Sequence, residues 1–386
     1  MGKKSIALAI SILLVSLSFL YIFFTLDRNI SLYTTRFEPK LYEKKFNQSQ
    51  WVIPNSKRVI SDEDLYAYAG YQYLKGKNPI LINPEVPPLG KYIIGVSILV
   101  FNNQRLASIV VGVLSLGMIF LLIYLSTRSL FISSLGLLLS STTSLFVDQL
   151  IHAPQLDIFQ LLFLLSTFYF FLLYLKKKSL IYMLLSGISA GAFVSTKIFV
   201  VSFFLINSTL FLFYLMRRIS IKKVAVEMIL LNFVILLVYL ITYTSYFING
   251  GTLRGFLGVQ KWIFLFYNES QIEKIRLLGS YIGLILVNRW KYWSDGYPII
   301  SYESWTIIWP LVFLLGGIST IMLVKKKDGL KDNLVLILTA FLVVYNGFLF
   351  ITPIYPRYLL LLFIPLNMLI ALYLGQKIEV RLRKYF

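Results

Sequence analysis

Apolar runs of about 20 residues recur along the 386-residue chain, separated by short polar stretches. Ten fit this description: residues 6–24, 104–125, 130–147, 155–175, 179–195, 198–216, 224–246, 305–324, 333–351 and 358–375. A run of that length with few charges crosses the hydrocarbon core as a helix, because every backbone polar group must be satisfied inside the segment. The pattern predicts an all-α polytopic membrane protein of about ten transmembrane helices, one domain over 1–386. The first run is long for the apolar part of a signal peptide. It is followed by Thr25-Leu26-Asp27-Arg28 rather than a small-residue cleavage site, so it reads as a retained anchor.

Two polar stretches, 25–103 and 247–304, are too long to be simple connections, and loops of that length are usually functional or carry structure of their own. In the first, Ser61 followed by Asp62, Glu63 and Asp64 marks a helix start, and the helix is expected to run to about Lys75 and end at Gly76. Leu89 to Phe101 is apolar but short for a span, so it should lie along the membrane interface. The later stretch mixes Trp262, Phe264, Phe266, Tyr267, Trp290, Tyr292 and Trp293 with Lys261, Lys274, Arg276, Arg289 and Lys291, a composition typical of the headgroup level.

Charge sharpens the topology. With the N-terminus in the cytoplasm, the cytoplasmic pieces are Lys3-Lys4, Ser126-Thr127-Arg128, Lys176-Lys177-Lys178, Arg217 to Lys223, Lys325 to Lys331 and the tail from Gln376. These pieces hold 18 of the 37 Lys and Arg, while 13 of the 17 acids fall on the other side. Short basic loops orient membrane helices in this way. Both termini are therefore expected in the cytoplasm of a plasma-membrane protein, with the long loops outside. The net charge of +20 is dispersed in these clusters rather than drawn into a phosphate-tracking stripe, which argues against nucleic acid as a partner. Cys is absent and His152 is the only histidine, so thiolate sites and an ordinary His-based zinc centre are excluded.

Candidate chemistry gathers at the expected outer ends. The acids at 62–64 suit a general base held over the membrane, with Tyr66 on the same helix face as Asp62; they equally suit the positive end of a helix. In Asn83-Pro84-Glu85-Val86-Pro87-Pro88-Leu89-Gly90-Lys91, the prolines fix an extended entry, Gly90 permits close backbone approach and Lys91 sets a cation at the interface. Arg105, Lys197 and Arg357 also fall at outer ends of spans; convergence of such cations would make a phosphate site. Asp148 and Asp157 flank His152. Asp62, Glu63, Asp148 and Asp157 together offer oxygen ligands for a divalent cation.

Ser-Asp-Glu at 61–63, Pro-Pro-Leu-Gly-Lys at 87–91, Arg105-Leu106-Ala107-Ser108-Ile109, Gln155-Leu156-Asp157 and Ser195-Thr196-Lys197 occur in that order. Their order and topology resemble the GT-C membrane glycosyltransferase superfamily, in its protein O-mannosyltransferase and aminoarabinose-transferase branch. Val86 stands where that family often has His. The resemblance implies transfer of a sugar from a polyprenyl-phosphate donor to a hydroxyl or amine of a protein, lipid or glycan, on the non-cytoplasmic face and with inversion. Carried over residue by residue, Asp62 is the base and Glu63 supports it. Lys91, Arg105, Arg357 and Lys197 are candidates for the donor phosphate, and Tyr66, Glu85, Asp157 and His152 for substrate contacts. The alternatives are a lipid-linked-sugar flippase or transporter, which should show matched broken spans in two halves, and a non-catalytic subunit of the same fold.

Overall fold

The computed structural model describes residues 3–152, 155–268, 272–326 and 331–385, with side-chain surroundings for all of these except 3, 4 and 380–385. Ala153-Pro154, the Lys3-Lys4 side chains, 327–330 of the basic connection and the end of the tail therefore lie outside what is described. The chain is a multi-pass helical protein. The only strands among the described residues are the pair Trp290–Lys291 and Ile299–Ile300, antiparallel with Trp290 opposite Ile300.

Eight of the described helices are long and apolar enough to cross a membrane: Ser5–Arg28, Leu106–Thr127, Asp157–Lys177, Phe199–Met216, Ile221–Thr242, Ile308–Lys325, Asn333–Ile351 and Pro356–Glu379. The expected run at 130–147 is instead two helices, Leu130–Ser141 and Ser144–Ile151, bent by 59° at Thr142-Thr143. The bend frees backbone groups that a straight helix would pair, and a buried amide meets part of that need. Asn367 Nδ2 donates to Leu139 O at 3.1 Å and to Thr143 Oγ1 at 2.8 Å. The run at 179–195 forms only the 15-residue helix Leu180–Val194. Counting the bent pair as one span gives nine rather than ten.

Small residues set how closely these helices pack. A Cβ on Gly187 would meet Val234 at 2.9 Å, and one on Gly191 would meet Val238 at 2.6 Å, so the Leu180–Val194 helix lies directly on Ile221–Thr242. The Pro356–Glu379 span is the most buried, and the first span is the most peripheral. Large apolar side chains such as Phe204, Phe233 and Ile241 point outward, as they do where lipid is the solvent.

The first long stretch folds over one end of the bundle. Ser61 Oγ accepts from Asp64 N at 3.2 Å and caps the helix Asp62–Leu74, which ends two residues before Gly76, whose φ is +81°. That helix crosses the helix Leu89–Phe101 at a glycine pair. A Cβ on Gly70 would lie 2.2 Å from Lys91 O, and one on Gly95 would lie 2.3 Å from Gly70 O. The two backbones touch with nothing between them. Val96, Leu99, Val100 and Phe101 are exposed along the second helix, the apolar edge expected of an interfacial element.

Neither partner at this crossing is a side-chain tip that can rotate away. Gly70→Ala or Gly95→Ala should force the helices apart at an overpacking cost of about 1–3 kcal/mol. Thermal unfolding in detergent should show a lowered midpoint for either variant, while Gly117→Ala, which meets nothing within 4 Å, should leave the midpoint unchanged.

Candidate active site

Five separate stretches meet at the end of the bundle covered by this loop. Leu89 N donates to Ser195 O at 3.2 Å, tying the Pro-Pro-Leu-Gly-Lys turn to Ser195-Thr196-Lys197. A Cβ on Gly90 would meet Leu156 Cδ2 at 2.6 Å and Thr196 Cγ2 at 3.2 Å, so Gly90 allows the approach that its place in the motif suggested. Arg357 arrives from the turn Pro356–Leu359, whose first residue is proline.

These stretches build one alternating chain of charges. Arg357 Nη2 donates to Asp62 Oδ2 at 2.6 Å, and Arg357 Nε stands 3.6 Å from Asp157 Oδ2. Lys197 Nζ donates to Asp157 Oδ1 at 2.6 Å and sits 3.9 Å above the Tyr358 ring. Asp157 is almost wholly buried, Arg357 and Lys197 are largely so, and Asp62 is 41% exposed. Asp62 Oδ1 has no hydrogen-bond partner among the described residues, and Arg357 Nε is buried without one. The Lys197 ammonium is held down to about 8, by burial first and by neighbouring Arg357, against the pull of Asp157.

Tyr66 is buried beside Asp62, Arg357, Glu85 and Tyr267, and burial raises its phenol well above the ordinary range. Tyr267 comes from the helix Leu253–Asn268 of the second long stretch, so that stretch reaches the same cluster. Tyr355 and Tyr358 flank Arg357, with the Tyr355 ring 5.0 Å from the guanidinium. Sequence reasoning did not select these three tyrosines. Tyr355 and Tyr358 bracket an arginine that it did select, which was the one available signal; Tyr267 was met only as one aromatic among many.

Lys91 stands apart from this network. It is fully buried and donates to Asn83 O at 3.0 Å, Asn83 Oδ1 at 2.7 Å and Val86 O at 2.6 Å. All three of its N–H bonds are spent inside its own motif, which leaves none for a phosphate. Val86 contributes its backbone carbonyl here and a buried apolar side chain. Burial holds the Lys91 ammonium down to about 7, opposed by Glu85, and Glu85 itself is raised by burial.

Asp62 and Glu63 face different surroundings, since successive helix residues point about 100° apart. Gln155 Nε2 lies 3.5 Å from Glu63 Oε1, and Arg105 and His152 are the charged groups nearby; burial raises the Glu63 carboxyl. Arg105 Nε is buried without a partner. His152 is mostly exposed and its Nδ1 is 2.7 Å from Asp148 Oδ1, which raises the imidazole. Asp64 turns outward to Lys45 at 2.8 Å. The four carboxylates proposed for a divalent cation thus divide between two clusters. Among the described residues, no group of three His, Asp or Glu could hold a metal ion.

A cleft opens beside Lys197 and Asp157. Its walls continue into the bundle as Val201 and Leu205 of one span, Phe348 of another and Leu361. It joins the charged cluster to an apolar groove between membrane helices.

Residues 85–245 match the family described as dolichyl-phosphate-mannose-protein mannosyltransferase. The fold is similar to ArnT from Cupriavidus metallidurans bound to undecaprenyl phosphate, with a TM-score of 0.64 and 15% identity over 95% of this chain and 60% of that one. The apo state of the same protein gives a TM-score of 0.53 and 15% identity over 82% of this chain and 55% of that one. No curated protein sequence matches the chain. The fold is of the GT-C type, as the order of the motifs implied, and the chain spans about 60% of the length of the ArnT structure.

Removing one partner of a buried ion pair strands the other charge. Asp157→Asn should cost about 3 kcal/mol, and Asp157→Asn with Lys197→Met should cost less than the two single changes summed. Unfolding in detergent of the two single variants and the double variant measures that coupling.

Proposed function

We propose that the chain is a membrane glycosyltransferase that moves a sugar from a polyprenyl-phosphate carrier to a hydroxyl or amine acceptor. The observation that carries this reading is the Asp62–Arg357–Asp157–Lys197 chain at the mouth of an apolar cleft. A polyprenyl-phosphate sugar has three parts with conflicting solvation, and this arrangement matches each of them. The isoprenoid tail fits among Val201, Leu205, Phe348 and Leu361. The phosphate fits Lys197 and the unpartnered Nε of Arg357. The sugar then projects towards Asp62 and the tyrosines. ArnT, whose fold this chain shares, is known with undecaprenyl phosphate bound.

In the step itself, the acceptor oxygen or nitrogen forms a bond to the anomeric carbon while the bond from that carbon to the phosphate oxygen breaks. The electron pair leaves with the polyprenyl phosphate, and Asp62 Oδ1 takes the acceptor proton. Attack from the face opposite the phosphate inverts the carbon. Arg357 orients Asp62 through its other oxygen, and with Lys197 it stabilises the charge that grows on the leaving phosphate. Glu63, Arg105, Gln155 and His152 line the neighbouring cluster and suit the acceptor. Lys91 acts through structure, holding Glu85 and the turn against the site. In this reading the long loops lie outside the cell, where both the acceptor and the projecting sugar are found. The carbohydrate class, mannose or another sugar, is set by the contacts of Tyr66, Glu85 and Tyr267.

Asp62→Asn keeps a partner for Arg357 but removes the base. Release of polyprenyl phosphate from a panel of polyprenyl-phosphate sugars, by purified protein with acceptor extract, should fall about 100-fold or more. Full activity in folded Asp62→Asn would dismiss the assignment, and no release by the wild type from any donor would dismiss the enzyme reading.

The Lys197 ammonium loses its proton as pH rises through about 8, so its hold on the donor phosphate should weaken above that value. KM for the donor should therefore rise by about tenfold between pH 7 and pH 9. In Lys197→Arg, which keeps its charge throughout, the KM should be flat over that range.

A further inference from the structure

The second long stretch carries a short antiparallel hairpin whose aromatic residues lie beside the charged cluster without belonging to it. Trp290 and Lys291 pair with Ile300 and Ile299, and Tyr292 N donates to Pro298 O at 2.8 Å. Asn288 closes the base of the hairpin by accepting from Tyr302 N at 2.8 Å. Trp290 packs edge-on against Tyr292 at 5.0 Å between ring centroids, and against Tyr355 at 6.1 Å. Trp293 meets Tyr355 at 5.4 Å, the two rings nearly perpendicular at 81°. Tyr355 lies 5.0 Å from the Arg357 guanidinium, so this shelf of rings stands at the edge of the charged cluster.

Tryptophans here fall into two kinds. Trp305 Nε1 donates to Ile285 O at 3.0 Å and Trp309 Nε1 to Ser144 Oγ at 2.8 Å, as buried indoles ordinarily do. Trp290 Nε1 and Trp293 Nε1 are buried with no acceptor among the described residues, a cost that a ligand can relieve. Trp290 is 7% exposed, whereas Tyr292, Trp293 and Tyr355 are half-buried and keep part of each ring open. Rings that only anchored the chain at the headgroup level would turn to the lipid. These converge on Tyr355 and, through it, on Arg357.

The cluster around Glu63 has a matching deficit. Gln149 is fully buried and donates to Gln155 Oε1 at 2.5 Å, but its own Oε1 has no partner. Arg105 Nε has none either, so one donor and one acceptor are left over, which a hydroxyl can satisfy together. Tyr302, at the base of the hairpin, stands beside Asp148, the partner of His152, and so joins the shelf to this cluster.

We infer that the shelf formed by Trp290, Tyr292, Trp293 and Tyr355 binds a saccharide, and that this saccharide is the acceptor. A pyranose carries C–H bonds on one face, which suit the negative face of an aromatic ring. Around its rim it carries hydroxyl oxygens, which suit the two indole N–H groups. A peptide carbonyl would answer the indoles but offers the open rings no flat C–H face. The role of acceptor rests on the transferase reading, whereas the saccharide chemistry stands on the shelf alone. In that role a sugar hydroxyl gives its proton to Asp62, and a glycosidic bond forms as the bond to polyprenyl phosphate breaks.

The test is isothermal titration of the full chain in detergent with trisaccharides of mannose, glucose, galactose and N-acetylglucosamine, and with a peptide rich in serine and threonine. The same samples are assayed for release of polyprenyl phosphate from the donor panel. Wild type should bind at least one trisaccharide and not the peptide. Trp293→Ala should weaken that binding about tenfold, and Trp293→Phe, which keeps a ring but lacks the N–H, about threefold. Tyr292→Ala should also weaken it about threefold, and reads the stacking should Trp293→Ala not fold. Trp262→Ala removes an exposed aromatic of the Leu253–Asn268 helix outside the shelf and should bind as wild type does. Equal weakening by Trp262→Ala and Trp293→Ala, binding of the peptide alone, or binding of nothing overturns the inference, even where release of polyprenyl phosphate upholds the transferase. Trisaccharide binding by a protein that releases none from any donor supports the shelf and dismisses the enzyme instead.

Discussion

The contact on which the rest depends is Arg357 between two carboxylates. It reaches from the start of the last span to Asp62, 295 residues away in sequence, and stands beside Asp157 on a third element. Among the described residues, it is the side-chain charge that draws the loop helix, the Asp157 span and the final span to one point. Such an arrangement is a poor way to gain stability, since desolvating several charges costs much of what their attraction returns, and a well-packed apolar set would do as well. What it provides is a fixed pattern of charge at the mouth of an apolar cleft. Two half-engaged groups, Asp62 Oδ1 and Arg357 Nε, remain for a ligand to complete.

The glycines make this point of meeting possible. The Gly70–Gly95 crossing and the seat of Gly90 against Leu156 and Thr196 leave no room for side chains, so the motif carrying Lys91 is pressed between the loop helix and the spans. Lys91 completes this by gathering the carbonyls of Asn83 and Val86. A buried cation binding backbone oxygens is a device for shaping a turn. The turn in turn sets Glu85 beside Tyr66 of the Asp62 helix.

Much of this was legible in the sequence. Long apolar runs gave the spans because a bilayer leaves so few alternatives, and Ser61 with Gly76 marked both ends of the loop helix through local chemistry alone. The break at Thr142-Thr143 was not legible, because its compensation comes from Asn367, more than 200 residues away. Arg357, Asp157 and Lys197 were each recognisable as costly charges near span ends, whereas their pairing is a tertiary fact. Lys91 shows the opposite limit. A lysine beside Pro-Pro-Leu-Gly reads as an interfacial anchor or phosphate ligand until its three acceptors are seen, two of them backbone carbonyls that no side-chain pattern reveals. The family resemblance supplied order and topology, and the geometry reassigns this one residue.

The divergence of Asp62 and Glu63 bears on how a displacement would run. Had both carboxylates faced one pocket, their mutual repulsion would have left the proton-accepting group undefined. One helical step apart, each meets a different cation: Arg357 on one side, Arg105 on the other. Gln155 reaches Glu63 while Asp157, two residues on, belongs to the other cluster, so a single short segment walls both. Two adjoining clusters, each with its own carboxylate, suit a reaction in which donor and acceptor enter from different sides. Under the proposed function the donor enters by the cleft beside Lys197 and the acceptor by the cluster around Glu63. A transporter needs a path for its cargo through the middle of the membrane. In this chain the ionisable side chains described gather at the two ends of the spans, and the polar groups at the loop end converge on a point where a bond can change hands.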